Sequence, residues 1–115
     1  MSCILSKTWG RIAALAAVLA IAATVSTGSA SAAVITVAIK NLVFAPVEIS
    51  AKVGDTIEWT NGDFVAHTAT ERGGAWNVML APGKAGSLVL KQVGTFEYFC
   101  RFHPNMKGRI TVSAP

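Results

Sequence analysis

The sequence predicts an all-β protein: one small antiparallel β-sandwich with Greek-key connections, preceded by a segment that is cut away. Three observations predict it. Apolar and polar residues alternate in short runs, turn residues (Gly, Pro, Asn, Asp) fall between the runs, and no amphipathic helix stands out beyond residue 32. Each such strand has one apolar face to bury, and a second sheet is what can cover it.

The front of the 115-residue chain carries much of its 52% hydrophobic content. Lys7 and Arg11 precede an apolar run, Ile12 to Val25, and a small-residue stretch ends in Ala30-Ser31-Ala32. That order is a secretory signal peptide over residues 1–32, cut after Ala32, which places the mature chain in the periplasm. The apolar run, mostly alanine, is shorter than the ~20 residues of a spanning helix, so stable membrane insertion is not expected. No paired arginines precede it, which favours export of an unfolded chain and metal uptake afterwards. Cys3 leaves with the leader.

Residues 33–115 then read as one domain. VITVAIK forms a first strand, with an irregular edge near Pro46. VEISAK alternates, with Val47, Ile49 and Ala51 on one face. Gly54-Asp55 turns the chain into TIEWT, where Ile57 and Trp59 point the same way, and Asn61-Gly62-Asp63 is the next turn. SLVLK lies between Pro82-Gly83 and Gly94. TFEYFC places Phe96, Tyr98 and Cys100 on one face, and GRITVS brings Ile110 and Val112 inward.

Charge narrows the function. The whole chain carries +4, and loss of Lys7 and Arg11 removes two of these charges. No basic cluster remains to hold a nucleic acid. Cys100 is the single cysteine of the mature chain; in an oxidising compartment it has no internal disulfide partner and must be buried, modified or bound.

Cys100 also opens the densest chemistry in the sequence, Cys-x2-His-x2-Met, made by Cys100, His103 and Met106. Pro104-Asn105 supports a tight turn that folds His103 and Met106 back toward the sulfur. The one other histidine, His67, lies in the loop after TIEWTNGD, where another strand ends. Alone, each has an ordinary explanation: a buried small hydrophobe, a loop histidine, a core-filling methionine. Together they are two imidazoles, a thiolate and a thioether, the ligand set of a blue-copper electron-transfer centre. Zinc rarely takes methionine, haem attachment needs Cys-x-x-Cys-His, and multicopper catalysis needs more imidazoles, so the chain is not expected to be an enzyme.

On these residues the chain resembles the cupredoxins, and among them the amicyanin type with its short ligand loop. The resemblance rests on Gly94 to Tyr98 leading into Cys100-x2-His103-x2-Met106, on Lys107-Gly108 after it, and on Trp59-Thr60-Asn61 with His67 six residues beyond the asparagine. It implies one type 1 copper ion, held by His67, Cys100 and His103 in a plane through imidazole Nδ1 atoms, with Met106 as a long axial ligand. It also implies that Asn61 ties the two ligand loops together and that the Thr68 N–H donates to the thiolate. Thr68 stands where the family has asparagine, Arg101 where a small polar residue is usual, and Phe102 where proline is typical. A proline has no N–H, so Phe102 is expected to add a second donor to the Cys100 sulfur.

The function implied is a monomeric one-electron carrier serving redox proteins, and the amicyanin resemblance suggests a methylamine dehydrogenase-like donor and a c-type cytochrome acceptor. The alternative is a copper protein for delivery, storage or resistance, though Met79 and Met106 are the only methionines of the mature chain.

Overall fold

The structure, a computed structural model, describes residues 14–25 and 31–115. The first segment is exposed and has no regular secondary structure. Residues 1–13 and 26–30 of the expected leader lie outside the described residues. Among the described residues no helix is long and apolar enough to cross a membrane.

Nine strands are described: β1 (Val34–Lys40), β2 (Val43–Ala45), β3 (Glu48–Lys52), β4 (Thr56–Asn61), β5 (His67–Glu71), β6 (Asn77–Leu80), β7 (Ala85–Val89), β8 (Gly94–Phe99) and β9 (Lys107–Ser113). They form two facing sheets, β2-β1-β4-β7 and β3-β9-β8-β5-β6. The sandwich is the one the sequence predicts, with a refinement of direction. β1 runs parallel to β4, with Val34 opposite Thr56, and β3 runs parallel to β9, with Glu48 opposite Arg109. Each parallel pair is joined by chain that crosses between sheets, so the two strands of the pair are distant in sequence.

Alternation decides what is buried. Val37 and Ile39 from β1, Ile57 and Trp59 from β4, Ile49 and Ala51 from β3, and Ile110 and Val112 from β9 all face the interior. Val47 does not: it precedes β3 and is half exposed, because the strand starts only at Glu48. β7 begins two residues before SLVLK and ends at Val89, leaving Leu90 buried beyond it.

At the centre Tyr98 packs edge-on against Phe44 and Trp59, with ring centroids 4.8 and 5.6 Å apart. The Trp59 Nε1–H donates to the Tyr98 oxygen at 3.3 Å, and burial pushes the Tyr98 phenol up to about 12. Gly108 of β9 lies over this ring; a Cβ there would collide with it. Tyr98 is two residues from Cys100, so the same packing that fills the core sets the end of β8.

Candidate metal centre

Three strand ends converge at one edge of the sandwich. Cys100 follows β8 directly and is fully buried. His67 is the first residue of β5, also fully buried, rather than a loop residue as its sequence neighbours suggest. Antiparallel pairing of β5 with β8 begins at Thr70 opposite Phe99, which carries His67 alongside Cys100. His103 comes from the turn between β8 and β9. The Met106 N–H closes that turn on the His103 carbonyl at 2.8 Å, and the Cys100 N–H donates to the Met106 carbonyl at 3.1 Å. Met106 is 3% exposed.

The spacing of the donors is specific. Cys100 Sγ lies 3.7 Å from His67 Nδ1 and 3.7 Å from His103 Nδ1. The donor atoms of the three residues all fall within 4.8 Å of one another. With a metal–sulfur bond of about 2.3 Å and a metal–nitrogen bond of about 2.0 Å, taken from zinc sites, a 120° angle separates sulfur and nitrogen by about 3.7 Å. The two sulfur–nitrogen distances therefore fit a first-row metal that these three residues would hold together. Among those metals, a thiolate and two imidazoles with a buried thioether beside them suit copper.

One residue that orients this set was not foreseen. His67 Nε2 lies 2.9 Å from Asp63 Oδ2. The same carboxylate accepts the N–H groups of Asn41 at 2.8 Å and Leu42 at 3.0 Å. Asn41 and Leu42 both have positive φ, 52° and 63°, and form the two-residue turn between β1 and β2. Leucine is a poor fit to that conformation, and a carboxylate seated on the two consecutive amides holds it there. Hydrogen bonding from Leu42 above all, then from His67 and Asn41, holds the Asp63 carboxyl down to about 2. An ionised carboxylate accepts only, so Nε2 carries the His67 proton and the Nδ1 lone pair faces Cys100. The spacing Asp63-x3-His67 was the available signal, but a turn aspartate has a commoner explanation as a turn former.

The other predicted neighbours divide. The Thr68 N–H donates to Cys100 Sγ at 3.4 Å, as expected. Asn61, 1% exposed, does not join the two ligand loops. Its Nδ2 donates to the carbonyls of Val65 (2.9 Å), Leu80 (3.1 Å) and Ala81 (3.3 Å), and its Oδ1 accepts from Asp63 N–H, so it ties the loop before His67 to the end of β6. The tie between ligand loops is made by Thr68, whose Oγ1 accepts the Arg101 N–H at 2.9 Å. Its hydroxyl occupies the position where the sequence departs from the family's asparagine. The Phe102 N–H forms no hydrogen bond to the sulfur among the described residues; the loop is anchored one residue earlier, at Arg101.

Around the His103 end of the molecule several apolar side chains are exposed: Phe64 (94%), Met79 (56%), Phe102 (53%) and Val65 (49%). Lys40 Nζ lies 5.9 Å from the Phe64 ring centre. Arg101 and Lys107 are exposed. Arg109 lies on the outer face of its sheet, paired with Glu97 at 3.0 Å and Glu48 at 3.4 Å, because position 109 alternates outward in β9.

Fold and donor set together define a cupredoxin: the chain belongs to the cupredoxin-like domain family, whose match covers residues 11–112. Within that family it is similar to amicyanins. It is 31% identical over 84 residues to amicyanin of Paracoccus denitrificans and 26% identical over 84 residues to that of Paracoccus versutus, each match covering 68% of this chain and 64% of the relative. The chain therefore spans a little under two thirds of those amicyanins. A reduced amicyanin variant with a proline-to-phenylalanine substitution superposes with a TM-score of 0.61 at 31% identity, covering 70% of this chain and 82% of that one. A purple cupredoxin from Nitrosopumilus maritimus gives 0.62 at 29% identity, covering 69% and 99%.

Proposed function

We infer that this chain is a periplasmic one-electron carrier that holds a single copper ion between His67, Cys100, His103 and Met106. The observation that carries the reading is Cys100 Sγ lying 3.7 Å from each of two imidazole Nδ1 atoms, with Met106 buried at the end of the same turn. Bound there, copper would alternate between Cu(II) and Cu(I), taking up and releasing one electron.

The protein's own part is to keep the donors still. His67 is held by Asp63, Cys100 by Thr68 and by the end of β8, and Met106 by the turn it closes. Ligands fixed by hydrogen bonds and packing do not rearrange between two charge states. His103, only partly buried, is the ligand that reaches toward solvent, and apolar Phe102 and Val65 stand exposed at its end of the molecule. Partners would be redox proteins that meet this surface briefly. Two ligands with no exposure support retention of copper over its delivery to other proteins.

The test is addition of Cu(II) to residues 33–115, followed by a visible spectrum and a redox titration. An intense blue band and one reversible one-electron step are expected. Cys100→Ser should abolish the band, since oxygen cannot replace the soft sulfur; a serine variant that remained blue would remove Cys100 from the centre. Met106→Ala should keep colour and shift the midpoint.

A further inference from the structure

At the opposite end of the first strand, a carboxylate is arranged around one particular backbone nitrogen. Asp55 sits in the turn between β3 and β4 and is 8% exposed. Its two oxygens are divided between two amides: Oδ1 accepts the Ala33 N–H at 2.9 Å and Oδ2 accepts the Lys52 N–H at 2.9 Å. Asp55 is also fixed by its own main chain, since its N–H donates to the Lys52 carbonyl and its carbonyl accepts from Leu90. Ala33 is held on its other side by the Thr56 N–H, which donates to its carbonyl at 2.9 Å. The next residue, Val34, begins β1 opposite Thr56.

Residues 31–33 are exposed and outside any strand. Ser31 and Ala33 border an open cleft lined also by Ile35, Ser50, Lys52 and Ser113. Thus the nitrogen of Ala33 is gripped, while Ser31 and Ala32 just before it are exposed and outside any strand. A buried carboxylate is an expensive acceptor for a neutral amide, and it is far better matched to a cation.

We propose that Asp55 is a receptor for a free α-ammonium group at Ala33, formed when the chain is cut between Ala32 and Ala33. The inference rests on the export reading above and deepens it. The reaction is hydrolysis by a leader-processing protease. Water adds across the Ala32–Ala33 bond, Ala32 leaves with a carboxylate, and the Ala33 nitrogen takes up protons to become an ammonium. The hydrogen bond to Asp55 then becomes an ion pair at the same position, so processing itself fastens β1 into its sheet. Lys52 is the other charged residue bordering the cleft, and its positive charge opposes rather than replaces the ammonium's role.

The sign of the effect follows from the pairing. An α-amine normally titrates near 7.7–8.0, and a carboxylate partner raises that value. The added stability is therefore complete below about pH 7.7 and fades as pH rises through the raised value. Two chains separate the possibilities, one starting at Ala33 and one at Ser31, each with Asp55 and with Asp55→Asn. The Ala33 amine should titrate about one unit high, a tenfold shift followed by NMR, and the Ala33 chain should melt higher at pH 7 than the Ser31 chain. Asp55→Asn should erase both differences. An amine with an ordinary pKa, or a melting difference that survives Asp55→Asn, overturns the receptor; the amine titration needs no variant and stands even if Asp55→Asn folds poorly. Mass spectrometry of the exported protein reads the cut itself: a start at Ala33 supports the linkage, while a start elsewhere refutes the natural role without altering the outcome for the prepared chains.

Discussion

Asp63 shows how one side chain can serve a turn and a ligand together. It seats the amides of Asn41 and Leu42, and through the same carboxylate it selects the His67 tautomer. Asp63→Ala should leave the sandwich folded but weaken copper affinity by about 10–100-fold, the usual consequence of removing a group that orients a ligand histidine. Competition with a chelator of known affinity measures it; an unchanged affinity would show that packing alone orients the ring. Three of the donors were legible in the sequence because Cys-x2-His-x2-Met is a rare spacing, and His67 because it is the one other histidine. Their supports were legible only in part: the Thr68 N–H to the thiolate follows from the family resemblance, whereas Asp63 does not. Asparagine, threonine and aspartate act here through backbone partners brought close by folding, and nothing local distinguishes them from turn formers. Asn61 was recognised as important yet bonds different carbonyls from those expected, and Thr68 carries the link to Arg101 instead.

At the scale of the strand, legibility followed alternation. β1, β4, β8 and β9 were visible because each alternates apolar and polar residues. β5 was hidden: His67, Thr68 and Ala69 are all buried in succession, two of them polar, since this strand serves the metal centre on one face and pairs within the sheet on the other. β2 and β6 are three and four residues long, too short for a period to register. Parallel pairing was unreadable for another reason: it depends on which sheet the chain crosses to, a long-range choice. β9 supplies the prediction at this scale. Gly108→Ala would press a methyl group into the buried Tyr98 ring. It should destabilise the protein by about 1–3 kcal/mol, as overpacking does, measured by urea unfolding. Because Tyr98 leads into Cys100, the blue band should also weaken or shift; an unaltered spectrum would mean that the core strain stops short of the centre.

Taken whole, the molecule has one end where Phe64, Val65, Met79 and Phe102 are exposed, the surface that the proposed electron carrier would present to a partner. Phe102→Ala should slow electron transfer to a partner while copper stays bound. Lys107→Glu should mainly lower the association rate and invert its salt dependence, because exposed charges act through steering. Stopped-flow rates at several ionic strengths test both, and indifference to each would move the contact surface elsewhere.

The position of β9 has a consequence for the order in which this protein comes into being. It lies between β3 and β8, and its pairing with β3 joins Glu48 to Arg109. The five-stranded sheet therefore has a gap between β3 and β8 until the final strand arrives. A chain threaded through a membrane with its N-terminus leading could not close that sheet part-way, however much of it had emerged. It would stay slack and threadable until nearly the last residue was across, and only then collapse, with few local contacts to speed it. Chains ending at Met106 should accordingly remain unfolded by circular dichroism and colourless with Cu(II), despite containing every ligand. For a chain exported as proposed, this topology would act as a delay, keeping the chain pliant in transit and the thiol unassembled until copper is there to meet it.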